Sequence, residues 1–160
     1  MAPTKQKGDM AELRVASDLV RQGYRIALPF GEDCDFDLVL LRGERFERVQ
    51  VKHVTSDGRV VEVKCTSYSL THGKARAVKK YTAQMIDWLA AYDATTDRCF
   101  YIPAHLLGNG RTMFSMRLAP TLNNQVRGTR WAHDFTELGE WSQSDSNRRP
   151  RQCKCRALAN

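Results

Sequence analysis

Apolar residues recur along this chain with two periods, one near 3.6 and one of two. Met10, Leu13, Ala16, Leu19 and Val20 fall at helical spacing and Gly23 supplies a stop signal, which predicts an amphipathic helix over residues 7–22. Residues 24–28 form a short β-rich run that Pro29 and Gly31 close. An acidic loop is predicted over 32–36, a strand over 37–41, and its partner over 46–54, the two joined through Arg42-Gly43-Glu44 as a hairpin. The turn signal Ser56-Asp57-Gly58-Arg59 leads into a third strand at 60–66. The polar, basic stretch 67–77 reads as a loop and 79–87 as a helix, while 88–92 either continues that helix or forms a strand. Strands at 99–102 and 113–118 flank a helical turn at 103–107; 122–125 is polar, and 131–135 ends the folded part. With no internal repeat, this order predicts one α/β domain whose mixed central β-sheet is flanked by helices.

A chain of 160 residues, 42% of them hydrophobic, fits a single domain with a real core. No apolar run reaches the length of a membrane span, and the charged N-terminal stretch lacks the apolar centre of a signal peptide, so a cytoplasmic protein is expected. The odd count of five cysteines (Cys34, Cys65, Cys99, Cys153 and Cys155) fits reduced thiols better than a disulfide framework. The net charge of +7 is unevenly spread, because Arg148, Arg149, Arg151, Lys154 and Arg156 all follow Trp141, against Asp145 alone. What precedes them carries only about +3, which permits a nucleic-acid partner without arguing strongly for one.

Residues 1–141 are therefore read as the domain and 142–160 as a basic, disordered tail. The tail has a second peculiarity. Asp145-Ser146-Asn147-Arg148 can be encoded by GAT-TCG-AAC-CGN, whose complement resembles the T arm of a transfer RNA gene, and Arg156-Ala157-Leu158-Ala159-Asn160 back-translates into the complement of a D-arm-like segment. The expectation is antisense read-through of a tRNA gene, a place where mobile elements often sit.

The chemistry concentrates in the hairpin. Strand side chains alternate faces, so Gln50 and Lys52 project together while Val51 points away, and Asp37 faces them across the turn in a compatible register. One carboxylate, one amide oxygen and one ammonium on a shared face suit the holding of a divalent metal against a phosphodiester. Glu12 lies at the margin of the helix's apolar face, beside Gly8, Val15, Ala16 and Leu19 on an ideal helix. Taken alone it is an ordinary solvated glutamate; with Asp37 and the Gln-x-Lys strand close behind, it becomes a site candidate. A rival triplet, Glu62-Val63-Lys64, stands on the next strand. Placement across a single short turn from Asp37 favours Gln50 and Lys52, and leaves Glu62 and Lys64 as cross-strand charges worth a few tenths of a kcal/mol, at most about 0.5.

The ordered set Lys7-Gly8-Asp9-Met10-Ala11-Glu12, Gly23-Tyr24, Pro29-Phe30-Gly31-Glu32, Asp37-Leu38-Val39 and Val49-Gln50-Val51-Lys52 resembles the PD-(D/E)XK nuclease superfamily. More narrowly it resembles the homing endonucleases associated with group I introns, where glutamine replaces the second acid of the motif. Ile86-Asp87-Trp88, Tyr101-Ile102-Pro103, Ser115-Met116-Arg117-Leu118, Asn123-Asn124-Gln125 and Arg130-Trp131-Ala132 match in order, so the resemblance spans residues 6 to 137. Glu62-Val63-Lys64 is the commoner form of the superfamily motif, but the flanks of Gln50 and Lys52 match the intron-associated branch. The resemblance implies a mixed β-sheet core, Mg²⁺-dependent cleavage of double-stranded DNA and a homo-oligomer, dimer or tetramer. On chemical grounds Asp37 is then the principal ligand to Mg²⁺, the Gln50 amide oxygen a neutral second ligand and the Val51 carbonyl a third. Glu12 is expected to hold a water beside the ion, or a second ion. Lys52 would orient and deprotonate the attacking water or neutralise charge on the phosphate.

Further candidates are weaker. Lys74 and Arg76, with His72, Lys79 and Lys80, can line a DNA backbone or form a solvated loop. Asn123, Asn124 and Gln125 have the chemistry to read adenine edges, as well as that of a surface turn. Arg127 and Arg130 can clamp a phosphate or cap the core, and Trp131 reads as packing. The histidines show no zinc spacing with the cysteines. Three functions compete: a homing endonuclease, a structure-specific nuclease acting on branched DNA such as Holliday junctions, and an inactive DNA-binding relative.

Overall fold

A computed structural model of the chain describes residues 3–31, 34–71, 74–122 and 126–139, with the backbone alone at 69–71 and 74–77. The predicted tail lies outside the described residues, as do Asn123, Asn124 and Gln125. Helix α1 (Thr4–Arg21) follows Pro3, whose φ of −55° is already helical. It closes at Gly23, at φ +91°, with the amides of Gly23 and Tyr24 returning to the carbonyls of Val20 and Leu19 at 2.9 and 3.0 Å. That double closure satisfies two carbonyls the helix end would otherwise strand. The buried stripe is Ala11, Val15 and Leu19. Met10, Leu13 and Val20 face outward, Leu13 at 72% exposure, which corrects the predicted face. A period of 3.6 allows either stripe; small Ala11 lets the helix sit closer to a sheet than Met10 and Leu13 would.

The strands run β1 (Arg25–Ala27), β2 (Leu38–Arg42), β3 (Arg45–Val54), β4 (Val60–Lys64), β5 (Thr66–Thr71), β6 (Lys74–Lys80), β7 (Trp88–Asp93), β8 (Arg98–Pro103) and β9 (Met113–Arg117). Five of them form a mixed sheet in the order β1-β2-β3-β7-β8, antiparallel except for the parallel pair β3–β7. β7 is buried along its whole length, as expected of a strand covered on both faces. Helix α1 covers one face, packing Ala11, Val15 and Leu19 on Leu38, Leu40, Val49, Val51, Ala90 and Tyr101.

The other face is not helical. It is covered by the antiparallel ribbon β4–β9, with Val61, Val63, Phe114 and Met116 packed among Leu89, Ala91, Phe100 and Ile102. Two 3₁₀ turns, Ala104–Leu107 and Ala132–Phe135, complete that layer. The mixed sheet was legible in the sequence; among the described residues only one α-helix flanks it. Two local expectations also fail. Residues 67–71 and 74–77 are strand rather than loop, and 79–87 is not a helix: β5 and β6 pair antiparallel, and the chain then turns at 83–85 before β7. Tyr68 and Val78, paired across this hairpin, are both exposed, so no alternation of buried and polar positions marked it.

Glu47 is buried at 3% exposure on the helix side of β3. It accepts from the Arg42 guanidinium at 2.9 and 3.0 Å and from Trp88 Nε1 at 2.7 Å, while Arg42 also donates to the Gly139 carbonyl at 2.8 Å. Removing one partner of a buried pair strands the other, so Glu47→Ala should cost about 3 kcal/mol in a denaturant melt. A loss below about 1 kcal/mol would show that Arg42 finds solvent instead. No described helix is long and apolar enough to cross a membrane.

Candidate active site

Asp37 stands one residue before β2, and its amide donates to the Val49 carbonyl at 2.9 Å. The register Leu38↔Val49 therefore brings it beside Gln50 and Val51. Just before β2 begins, the Asp37 carboxylate takes the role of a strand partner: its Oδ2 accepts the Val51 amide at 2.7 Å and a short hydrogen bond from the Gln50 side-chain amide. Gln50 is only 8% exposed and donates also to the Val51 carbonyl at 3.2 Å. Lys52, one alternation further along β3, lies on the same face, with Gln50 and Lys52 paired to Leu89 and Ala91. Its Nζ donates to the Tyr81 hydroxyl at 3.5 Å and lies 4.9 Å from the Tyr81 ring centre.

Burial sets the electrostatics. It raises the Asp37 pKa above the ordinary range, against the opposing pull of the Val51 amide, Lys52 and Gln50. It lowers the pKa of Lys52, with the charge of Asp37 pulling the other way. Glu12, half-buried on α1, is raised by desolvation first, then by the charges of Asp37 and Asp9. A carboxylate on the helix thus feels the one on the sheet. Three perturbed groups of both signs gathered at one end of a hairpin mark a functional site more often than a structural one.

The rival triplet points elsewhere. Val61 and Val63 turn into the core, so Glu62 and Lys64 face solvent, opposite Ser115 and Met113.

Of the outlying candidates, Lys79 forms an ion pair with Asp35, beside the Asp37 loop. Lys80 packs along Gly110, where an added Cβ would stand 3.0 Å from its own. Lys74 and Arg76 lie on β6, whose backbone alone is described there. Arg127 is exposed. Arg130 stacks 4.9 Å above Phe114, and Trp131 bridges to Arg117 and stacks on His133. No described contact joins Arg127 or Arg130 to Asp37 or Lys52. Sequence reasoning missed Tyr81 altogether, since it fell inside the expected helix.

The residues fit a divalent cation. The Gln50 NH₂ group stands between the Asp37 carboxylate and the Val51 carbonyl, its two partly positive hydrogens held by two oxygens. A hard cation suits the same position, and turning the amide over would present its oxygen as a further donor. Among the described residues no three His, Cys, Asp or Glu side chains gather as a metal site. Glutamine at position 50 leaves the carboxylates of Asp37 and Glu12 to carry the negative charge.

The mixed sheet and its helix form a single nuclease-like α/β domain. The sequence matches the family described as PD-(D/E)XK endonuclease over residues 2–138, and the chain belongs to that family. PD-(D/E)XK nucleases generally use divalent metal ions, commonly Mg²⁺. Among solved structures it is similar to a bacterial homing endonuclease, I-Ssp6803I, with a TM-score of 0.65 and 20% identity over 84% of this chain and 88% of that one. At that identity the likeness speaks for the fold. A Holliday junction resolvase, Hjc of the archaeal hyperthermophile Archaeoglobus fulgidus, matches with a TM-score of 0.42 and 14% identity over 70% of this chain and 84% of its own. No curated protein matches the chain.

Proposed function

We propose that this protein is a site-specific DNA endonuclease that makes metal-dependent double-strand breaks, the chemistry by which a group I intron or related mobile element homes. The observation that carries the reading is the Asp37 carboxylate bonded to Gln50 and Val51, with Lys52 on the same strand face. Asp37, the Val51 carbonyl, the Gln50 amide oxygen and Glu12 would hold Mg²⁺. When bound, the ion polarises the scissile phosphate and offsets the charge that develops on it. Lys52 orients the attacking water or neutralises charge on the phosphate, and Glu12 holds water in place from the helix side. Lys74, Arg76, Lys79 and Lys80 on the β5–β6 hairpin supply cations for the backbone of double-stranded DNA, with Arg127 and Arg130 as outlying phosphate contacts. Asn123, Asn124 and Gln125 are proposed to read bases. A domain of 1–141 covers limited DNA, so a long target calls for a homo-oligomer, a dimer or tetramer.

Two substrates test this: a duplex library carrying uninterrupted tRNA genes, and a four-way junction, each with the purified protein in Mg²⁺. Discrete double-strand cuts in the library support homing. Cutting of the junction alone moves the protein to the structure-specific nucleases, and binding without cutting makes it an inactive relative. Replacing both Glu62 and Lys64 by alanine should leave the cleavage rate within about twofold of wild type, since surface changes of this kind are nearly neutral. A loss above about 100-fold would transfer the role to the rival strand.

A further inference from the structure

We propose that Tyr81 is a positioning residue for Lys52, its ring the platform that holds the ammonium at the site and off the Asp37 carboxylate. The proposal rests on the reading above, in which Lys52 acts at the scissile phosphate.

Tyr81 is anchored by its backbone and by its packing. Its backbone amide donates to the Cys65 carbonyl at 2.9 Å, and Cys65 in turn donates to Thr112 at 2.9 Å, so the residue is tied to the β4–β9 ribbon. The side chain is 3% exposed within the core cluster of that ribbon. Ser67 stands opposite Lys79 in the β5–β6 register, one alternation before Tyr81. The ring therefore has no freedom to follow Lys52; Lys52 must come to it.

Lysine has a flexible four-carbon stem and a point charge, and a site that needs the charge in one place must supply the restraint. Asp37 on the same face is the obvious restraint, but among the described residues Lys52 forms no ion pair. Its ammonium lies instead 4.9 Å from the Tyr81 ring centre and 3.5 Å from the hydroxyl. An aromatic face attracts a cation without neutralising it, and most strongly where water is excluded. The arrangement holds the ammonium near the reacting phosphate and leaves the Asp37 oxygens to the cation. Without the ring, the ammonium falls onto Asp37 and competes with Mg²⁺ for it.

The test compares steady-state cleavage by wild type, Tyr81→Phe and Tyr81→Leu, with DNA affinity measured in Ca²⁺ and folding by thermal melt. Tyr81→Leu should lower kcat about tenfold, leave KM and DNA affinity unchanged and raise the Mg²⁺ concentration needed for half-maximal rate. Tyr81→Phe keeps the ring and should stay within about threefold of wild type. Successively fluorinated phenylalanines at 81 keep the shape and drain the ring's negative face, so kcat should fall step by step; this series decides the matter if Tyr81→Leu does not fold. A flat fluorination series, or kcat and DNA affinity falling together, overturns the proposal while the nuclease reading stands. A wild type that does not cut, or a Lys52→Ala variant that cuts as well as wild type, removes both.

Discussion

Replacing Asp37 with asparagine should abolish cleavage and, in the absence of metal, make the protein more stable. Both outcomes come from one cause. Asp37 is buried, and burial raises its pKa despite the amides that favour its charged form. An acid whose folded-state pKa is raised stabilises the fold while protonated; that contribution is complete below the ordinary aspartate value of about 3.9 and is lost as the pH rises through the higher folded value. At neutral pH the carboxylate is therefore held at a cost. Both of its described hydrogen bonds fall on one oxygen, Oδ2, so the asparagine carbonyl can accept them in its place. Asp37→Asn should raise stability by about 1 kcal/mol at pH 7, with the gain shrinking as the pH falls towards 4. Thermal melts of the two proteins in EDTA check this. Equal stability at pH 7 would show that no charge is stored there, while loss of cleavage should exceed about 1,000-fold because the principal hard-oxygen ligand is gone.

Lys52→Ala should lower single-turnover cleavage by about 10²–10⁴-fold while DNA affinity changes less than about tenfold. The large term belongs to the chemical step, because one ammonium is a minor part of the binding charge. Arginine should not rescue: its planar guanidinium is bulkier and cannot give up its proton, so it replaces neither the point charge nor any base function. The variant should remain folded, since Lys52 is itself carried into the site against burial, which lowers its pKa. If Lys52→Ala cuts within about twofold of wild type, the role assigned to β3 is wrong.

The hairpin was readable because two independent signals coincided in it: β-rich runs with period two, and a short turn at Arg42-Gly43-Glu44 that fixes which side chains oppose which. The parity of Gln50 and Lys52 followed at once. Helix α1 was readable as a helix but not as a face, because Met10, Leu13 and Val20 are as apolar as the stripe that is buried. The β5–β6 hairpin was unreadable for the opposite reason. Its sequence is rich in polar and basic residues, and Tyr68 and Val78, paired across it, are exposed, so the local pattern carries no alternation that marks the pairing. With the hairpin went Tyr81, whose relation to Lys52 arises only when β6 returns beside Cys65. Covering one sheet face with the ribbon β4–β9 depends on a pairing between residues more than 45 apart, which no local signal announces.

The central claim is that Asp37 and Gln50, not Glu62, hold the metal. It is tested most directly by adding Mn²⁺, as a paramagnetic stand-in for Mg²⁺, to the isotopically labelled protein and recording which backbone amides broaden. The account predicts that residues 12, 37 and 50–52 lose intensity first and that Asp37→Asn abolishes the effect. Broadening centred on residues 62–64, or none at concentrations that support cleavage, would contradict it.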